Sequence, residues 1–410
     1  MMVPKLRFKN FESKIEKKNL SDYIVEYRGG APLTPSDFVS ANGVEVIPKK
    51  AIIAGGELSL DSNNPTMCSH EFYRNYKKNV VDSSFLITTL RDLVPSGPNI
   101  GYIVLNRNKD NEYVLAQGVY GFKINEKLNA NFLSQLSNTK KYRLMMNKMM
   151  VGSTQVHIRN DDFFSMPIFV PTLAEQTKIS DFLSSIDEKI TLLNKQYDLL
   201  CQYKKGMMQK IFSQKVRFKD ENREEFSDWN EILLGKVGKI ITGKTPNTSV
   251  AEYWNGDILF TTPTDMNDSI KYLAVTERKV SSKGIKQVLP KGTIMFTCIA
   301  SIGKMALSTL PCITNQQINS IIVNEKYNNE FIYYNLQYIK PKIIANQANT
   351  TVPIVNKTDF SAISLHIPSL AEQTKIANAL CAIDDKITTK KTELDKLKTW
   401  KQGLLQQMFV

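Results

Sequence analysis

The chain has 410 residues, 42% of them hydrophobic, with a formal net charge of +13 and a pI near 9.2. That length accommodates two or three packed domains, the hydrophobic content excludes disorder as the default, and the positive excess favours a polyanionic partner over a small neutral substrate. Five cysteines without close pairs argue against a disulfide frame or a zinc knuckle, and no run approaches about 18 apolar residues, so a reduced, cytoplasmic, membrane-free protein is expected.

In chain order, residues 1–170 form a first body, 171–215 a first helix, 216–367 a second body and 368–410 a second helix. Both bodies carry short β-prone runs separated by Gly, Pro and Asn turns. The runs are Ala51–Ala54, Ser84–Thr89 and Ile100–Leu105 in the first body, and Ile258–Thr262, Thr293–Cys298 and Ser320–Val323 in the second. Each body is therefore expected to be mixed α/β and β-rich, and the whole chain α+β.

The helices announce themselves by repetition. Pro-Thr-Leu-Ala-Glu-Gln-Thr-Lys-Ile at 171–179 returns as Pro-Ser-Leu-Ala-Glu-Gln-Thr-Lys-Ile at 368–376, and 20 of the 43 positions aligned from there are identical, too many for chance. Thr172 with Glu175, and Ser369 with Glu372, have the spacing of a capping box, which places the helix starts. Ile179, Leu183, Ile186, Ile190, Leu193 and Leu200, and in the second copy Ile376, Leu380, Ile383, Ile387, Leu394 and Leu397, step by threes and fours as a heptad seam. Lys204 and Lys401 interrupt the two seams at the same place. Each helix would run roughly 60 Å.

The bodies also share an order of weak matches. Tyr27-Arg28-Gly29-Gly30-Ala31-Pro32 aligns with Ile241-Thr242-Gly243-Lys244-Thr245-Pro246, Ile100-Gly101-Tyr102 with Ile302-Gly303-Lys304, and Ala116-Gln117-Gly118-Val119 with Asn315-Gln316-Gln317-Ile318. Lys215-Val216-Arg217-Phe218-Lys219 follows the first helix, and its counterpart Lys5-Leu6-Arg7-Phe8-Lys9 stands at the start of the chain. A repeat read this way is circular. It predicts neighbouring termini, an antiparallel pair of helices forming a coiled coil, and a pseudo-twofold axis.

Catalytic signatures are missing. No P-loop, no Gly-x-Gly-x-x-Gly and no Asn-Pro-Pro-aromatic or Asp-Pro-Pro-aromatic tetrapeptide occurs, and His70, His157 and His366 lack metal-ligand spacing. Asp187-Glu188-Lys189 and Asp384-Asp385-Lys386 have the residue types of a nuclease site. On a helix, however, acid and lysine two apart point about 200° away from each other, so they read as solvated charges. No catalytic or metal-binding residue is expected.

The doubled Pro-x-Leu-Ala-Glu-Gln-x-Lys-Ile starts resemble the specificity subunit of type I restriction-modification systems. So do Gln-Gln-Met-Phe at 406–409, Lys-Leu-Arg-Phe at 5–8, and Leu234-Gly235 before Gly-Lys-Thr-Pro at 243–246. The resemblance covers nearly the whole chain. It implies two target recognition domains, each reading one half of a split double-stranded DNA target, with the helices as spacer and as dock for two methyltransferase (modification) subunits. It also implies restriction (motor/nuclease) subunits as partners, with S-adenosylmethionine, ATP and Mg bound by the partners and no cofactor on this chain. Phosphate contacts would come from Lys140, Lys141 and Arg143, and from Arg278, Lys279, Lys283 and Lys286. Candidate base readers are Arg91, Gln117, Lys244, Asn315 and Gln316, with Arg28, Thr88, Thr245, Thr262 and Lys304 beside them. The rival reading is a scaffold whose two bodies bind proteins and no DNA.

Overall fold

Both bodies are organised on the same four strands. In the first, Ile24–Gly29, Val119–Ile124, Leu86–Thr89 and Ile103–Leu105 lie side by side, each pair antiparallel. In the second, Gly238–Thr242, Ile318–Val323, Ile294–Thr297 and Met305–Ser308 repeat that order and sense. The inner strands read Leu-Ile-Thr-Thr and Ile-Met-Phe-Thr and are buried throughout, as β-branched and aromatic runs are when both sheet faces are covered. A second sheet in each body contains a parallel pair, Val44–Ile47 beside Tyr113–Leu115 and Trp254–Thr261 beside Cys312–Thr314. This computed structural model describes residues 3–268, 270–345 and 354–410. It bears out the α+β class with two repeated β-rich bodies and two long helices.

One expected strand is not a strand. Lys49–Ala51 is a 3-10 turn and Ile52 is fully buried without strand pairing. Four apolar residues after a proline cannot by themselves distinguish a strand from a core-facing turn.

The helices occupy Leu173–Phe212 and Leu370–Met408, 40 and 39 residues long. The chain divides into two compact units, residues 1–195 with 392–410, and residues 196–391. Each unit therefore takes part of each helix, and the division does not follow the boundaries at 170, 215 and 367. The reason is packing. Ile179, Leu183 and Ile186 share a core with Phe132 and Phe163 of the first body, and Leu404, Leu405 and Met408 join it. Ile376 and Leu380 share a core with Phe331, Tyr334 and Phe360 of the second. The seam residues Ile190, Leu200, Ile383, Ile387 and Leu397 are only half-buried, while Leu193 and Leu394 are buried. Within the second unit the sense is antiparallel: Tyr197 faces Lys391, and one heptad later on the first helix Lys204 faces Asp384, one heptad earlier on the second.

The helices start where the capping-box spacing placed them, and Glu372 N donates to Ser369 Oγ at 3.4 Å, but the glutamate half of the box is turned elsewhere. Glu175 and Glu372 are almost fully buried, and their carboxylates are taken by groups from outside the helix. Arg7 grips Glu175 through Nε and Nη2, each at 2.7 Å. Arg217 holds Glu372 through Nη2 at 2.8 Å and Nε at 3.3 Å, and Trp229 adds an indole donor at 3.2 Å. The carboxylate holds each guanidinium even more firmly protonated than usual, although partial burial opposes this. The glutamines next in sequence tie the helix starts to the bodies: Gln176 donates to Pro171 O and accepts from Asn129 N, and Gln373 donates to Pro368 O and accepts from Asn328 N.

Of the charges read as solvated, Glu188, Lys189, Asp385 and Lys386 are exposed, but Asp187 and Asp384 are partnered. Lys401 reaches Asp187 at 2.5 Å and Lys204 reaches Asp384 at 2.6 Å, so the lysines that interrupt the seams meet those aspartates. Gln135 and Tyr334 donate to the same two carboxylates. A polar break in an apolar seam is stable only with such a partner.

The circular reading of the repeat holds at the termini of the described chain. Leu6 N donates to Gln407 O at 2.9 Å, and the equivalent bond across the continuous chain, Val216 N to Lys210 O, measures 3.1 Å. Met1 lies outside the described residues, but Val3, Pro4 and Lys5 line one cleft with Gln406, Phe409 and Val410.

Candidate nucleic-acid interface

At one edge of each body the loops leaving both sheets meet. In the first, Ala31 N bonds Leu115 O, Ala116 N bonds Ile47 O, and Leu90 N bonds Gly118 O. In the second, Asn315 N bonds Thr261 O and Cys298 N bonds Gln317 O, the equivalents of the last two, while Gly243 N bonds Ile318 O where the first body has Ala31 N on Leu115 O. Gly101 N to Thr89 O and Gly303 N to Thr297 O complete the correspondence, which supports the alignment of Ile100-Gly101-Tyr102 with Ile302-Gly303-Lys304.

The alignment of the glycine turn shifts by one. Gly29 pairs with Tyr120 and Thr242 with Asn319, so Gly30, and not Gly29, stands where Gly243 stands. A Cβ at Gly30 would fall 1.9 Å from Ala116 O and one at Gly243 2.1 Å from Asn315 O, whereas Gly29 has only the Tyr120 ring at 3.7 Å. The close crossing of two chains demands glycine at that position, and the sequence match had slid past it.

The first edge brings Arg91 and Gln117 together in a cleft of about 480 Å³ that Lys49, Gln155 and His157 also line. Sequence reading missed the last three. Lys49 had a signal, since Pro48-Lys49-Lys50 follows a β-run at the same loop position as Thr262-Pro263; Gln155 and His157 arrive through a short strand pairing, Val156–His157 with Arg91–Asp92. Arg28 is half-buried, bonded to Glu26 and to the Val80 carbonyl, with its guanidinium over the Phe85 ring. Thr88 is fully buried, and its hydroxyl has no partner among the described residues. The reading of Arg143 is corrected. It donates to the carbonyls of Ile100 and Pro98 and stacks on Tyr102, and burial pulls its guanidinium below its usual range. Lys140 and Lys141 are exposed at a helix start near Gln406, not on these loops.

The second edge gathers the other candidates. Lys244 is exposed, Thr245 donates to Gln316 at 2.8 Å, and Gln316 is exposed on the turn. Thr262 caps its own turn through Asp265, and Lys304 donates to Pro263 O at 3.0 Å. Asn315 is buried and bonded to Gln317, so it shapes the turn that displays Gln316. Of the outlying cations, Arg278 lies over Trp254 and Lys283 pairs with Glu252. A separate apolar groove of about 1060 Å³ runs along the helices in the second unit, where Leu199 and Tyr203 are more than half exposed beside Lys386 and Thr389. Among the described residues no group of three or more His, Cys, Asp or Glu could hold a metal, and no helix is long and apolar enough to cross a membrane.

Comparison with known proteins gives a consistent answer. A family described as type I restriction modification DNA specificity domain matches residues 31–201 and 226–399. The MjaIX type I restriction enzyme specificity subunit of Methanocaldococcus jannaschii is 31% identical over 215 residues, 49% of this chain and 49% of that protein, so the match spans about half of that relative. The putative MjaX specificity subunit of the same organism is 29% identical over 75% of this chain and 70% of its own length. In fold, the crystal structure of the type I restriction-modification S subunit from M. genitalium superposes with a TM-score of 0.62 at 17% identity, covering 100% of this chain and 99% of that one.

Proposed function

Since the chain belongs to the type I restriction modification DNA specificity family, we propose that each body reads one half of a split duplex target through the edge where its sheet loops meet. The observation that supports this is the doubled edge with unlike side chains. The backbone frame recurs, with three equivalent amide bonds in each body, yet it displays Lys49, Arg91, Gln117 and His157 in one body and Lys244, Gln316 and Lys304 in the other. One frame with two chemistries suits two different base sequences.

We place the chemistry on partner subunits. The chain carries no methyltransferase tetrapeptide, and its Asp187 and Asp384 are engaged by Lys401 and Lys204. Two modification subunits would bring S-adenosylmethionine, restriction subunits would bring ATP and Mg, and the apolar groove at Leu199 and Tyr203 suits a docking partner. The complex would work in the cytoplasm, methylating adenine and cutting unmodified DNA.

Replacing residues 1–170 by the matching body of a relative tests the reading. Mapping methylated adenines from cells carrying the exchange should show one half of the target changed and the other intact. Both halves changing together, or neither, would defeat it.

A further inference from the structure

Leu93 and Val94 are consecutive large apolar residues on one loop tip, 66% and 49% exposed. The tip is held from both sides. Asp92 Oδ1 accepts from Val94 N at 3.0 Å, Gly97 N donates to Val94 O at 2.9 Å, and the Arg143 guanidinium clamps the far side through the carbonyls of Pro98 and Ile100. On the near side, Arg91–Asp92 pairs with Val156–His157. Leu93 lines the same cleft as Lys49, Arg91 and Gln117. Gly118 sits there with φ +85, and a Cβ on it would come 3.0 Å from Lys49 Cε and 3.1 Å from Arg91 Cβ, so the glycine lets both cations approach the turn.

Cations and amides at this edge fit phosphates and polar base edges, but two fixed, water-exposed aliphatic side chains fit neither. The major groove offers one apolar group, the 5-methyl of thymine. We propose that Leu93, supported by Val94, is a specificity-determining residue of the first body that reads a thymine by packing on its 5-methyl. This rests on the reading of the edge as DNA-facing. In the second body the corresponding loop starts Ile299-Ala300-Ser301, which puts a serine where the first body has Leu93, so the proposal concerns the first body's half-site.

The test begins from the target found by methylation mapping. Each thymine is replaced singly by uracil, which lacks only the methyl, and binding of the full chain is measured by gel shift for wild type, Leu93→Ala and Leu93→Ser. Uracil at one position of the first half-site should weaken wild-type binding about fourfold, the value of burying one methyl group. The same substitution should leave both variants unaffected, while they keep salt-dependent binding. A wild-type response flat across every thymine, or equal uracil sensitivity in wild type and both variants, overturns the inference. Wild-type binding that is indifferent to sequence in that half-site overturns the underlying reading of the edge instead.

Discussion

Arg7 and Arg217 show how much one side chain can hold. Each guanidinium satisfies a carboxylate that is almost wholly out of water, and Arg217 also donates to the carbonyls of Phe226 and Ser227. Breaking a buried pair by removing one partner leaves an uncompensated charge, which costs about 3–5 kcal/mol. Arg217→Ala should therefore lower unfolding stability by that amount in urea titration, and Arg217→Ala with Glu372→Gln should recover part of it. A single mutant within about 1 kcal/mol of wild type would show that water solvates Glu372 well enough. The sequence displayed both glutamates at a helix start and both arginines in matching pentapeptides. It did not show that they meet, because the partners lie 168 and 155 residues apart and spacing reveals only local geometry. Arg143 misled for the same reason. Its neighbours Lys140 and Lys141 made a basic run, while its acceptors lie about 43 residues earlier on the first body's loop.

At the scale of elements, periodicity was the readable signal. The heptad steps located both long helices and their seam, since a 3.5-residue repeat has few other causes. What periodicity could not tell is how deeply each seam position is covered. Ile186 is 5% exposed inside the first core, whereas its repeat mate Ile383 is only half-buried. Ile186→Ala should cost about 2–5 kcal/mol, and Ile383→Ala markedly less, because the transfer and cavity contributions both scale with burial. Denaturant midpoints of the two variants check this directly; equal losses would mean that coverage along the seam is even. Strands were legible where β-branched and aromatic residues ran together, as in 294–297 and 318–323. Sheet order was not, since the partners of Ile24–Gly29 come from nearly a hundred residues downstream.

For the whole molecule, the duplication carries one consequence to its end. The bond from Leu6 to Gln407 forms without a covalent link, yet it matches the one from Val216 to Lys210 that follows a continuous chain. Leu6 is one face of this junction; Arg7 on Glu175 and Phe8 against Phe182 are the others, just as Arg217 on Glu372 anchors the continuous copy. Covalent connection near 213–215 is then not what positions 216–219, because the same contacts position 6–9 without it. Joining Val410 to Val3 through a short flexible linker and opening the chain between Ser213 and Lys215 should give a permuted protein with the same fold. Loop closure enters stability only logarithmically, so exchanging one short connection for another should change it by no more than about 1 kcal/mol. The permuted chain should melt cooperatively near the parent temperature. An unfolded product would show that the continuous segment does more than tether, and that the contacts at 6–9 follow the fold without being sufficient to form it.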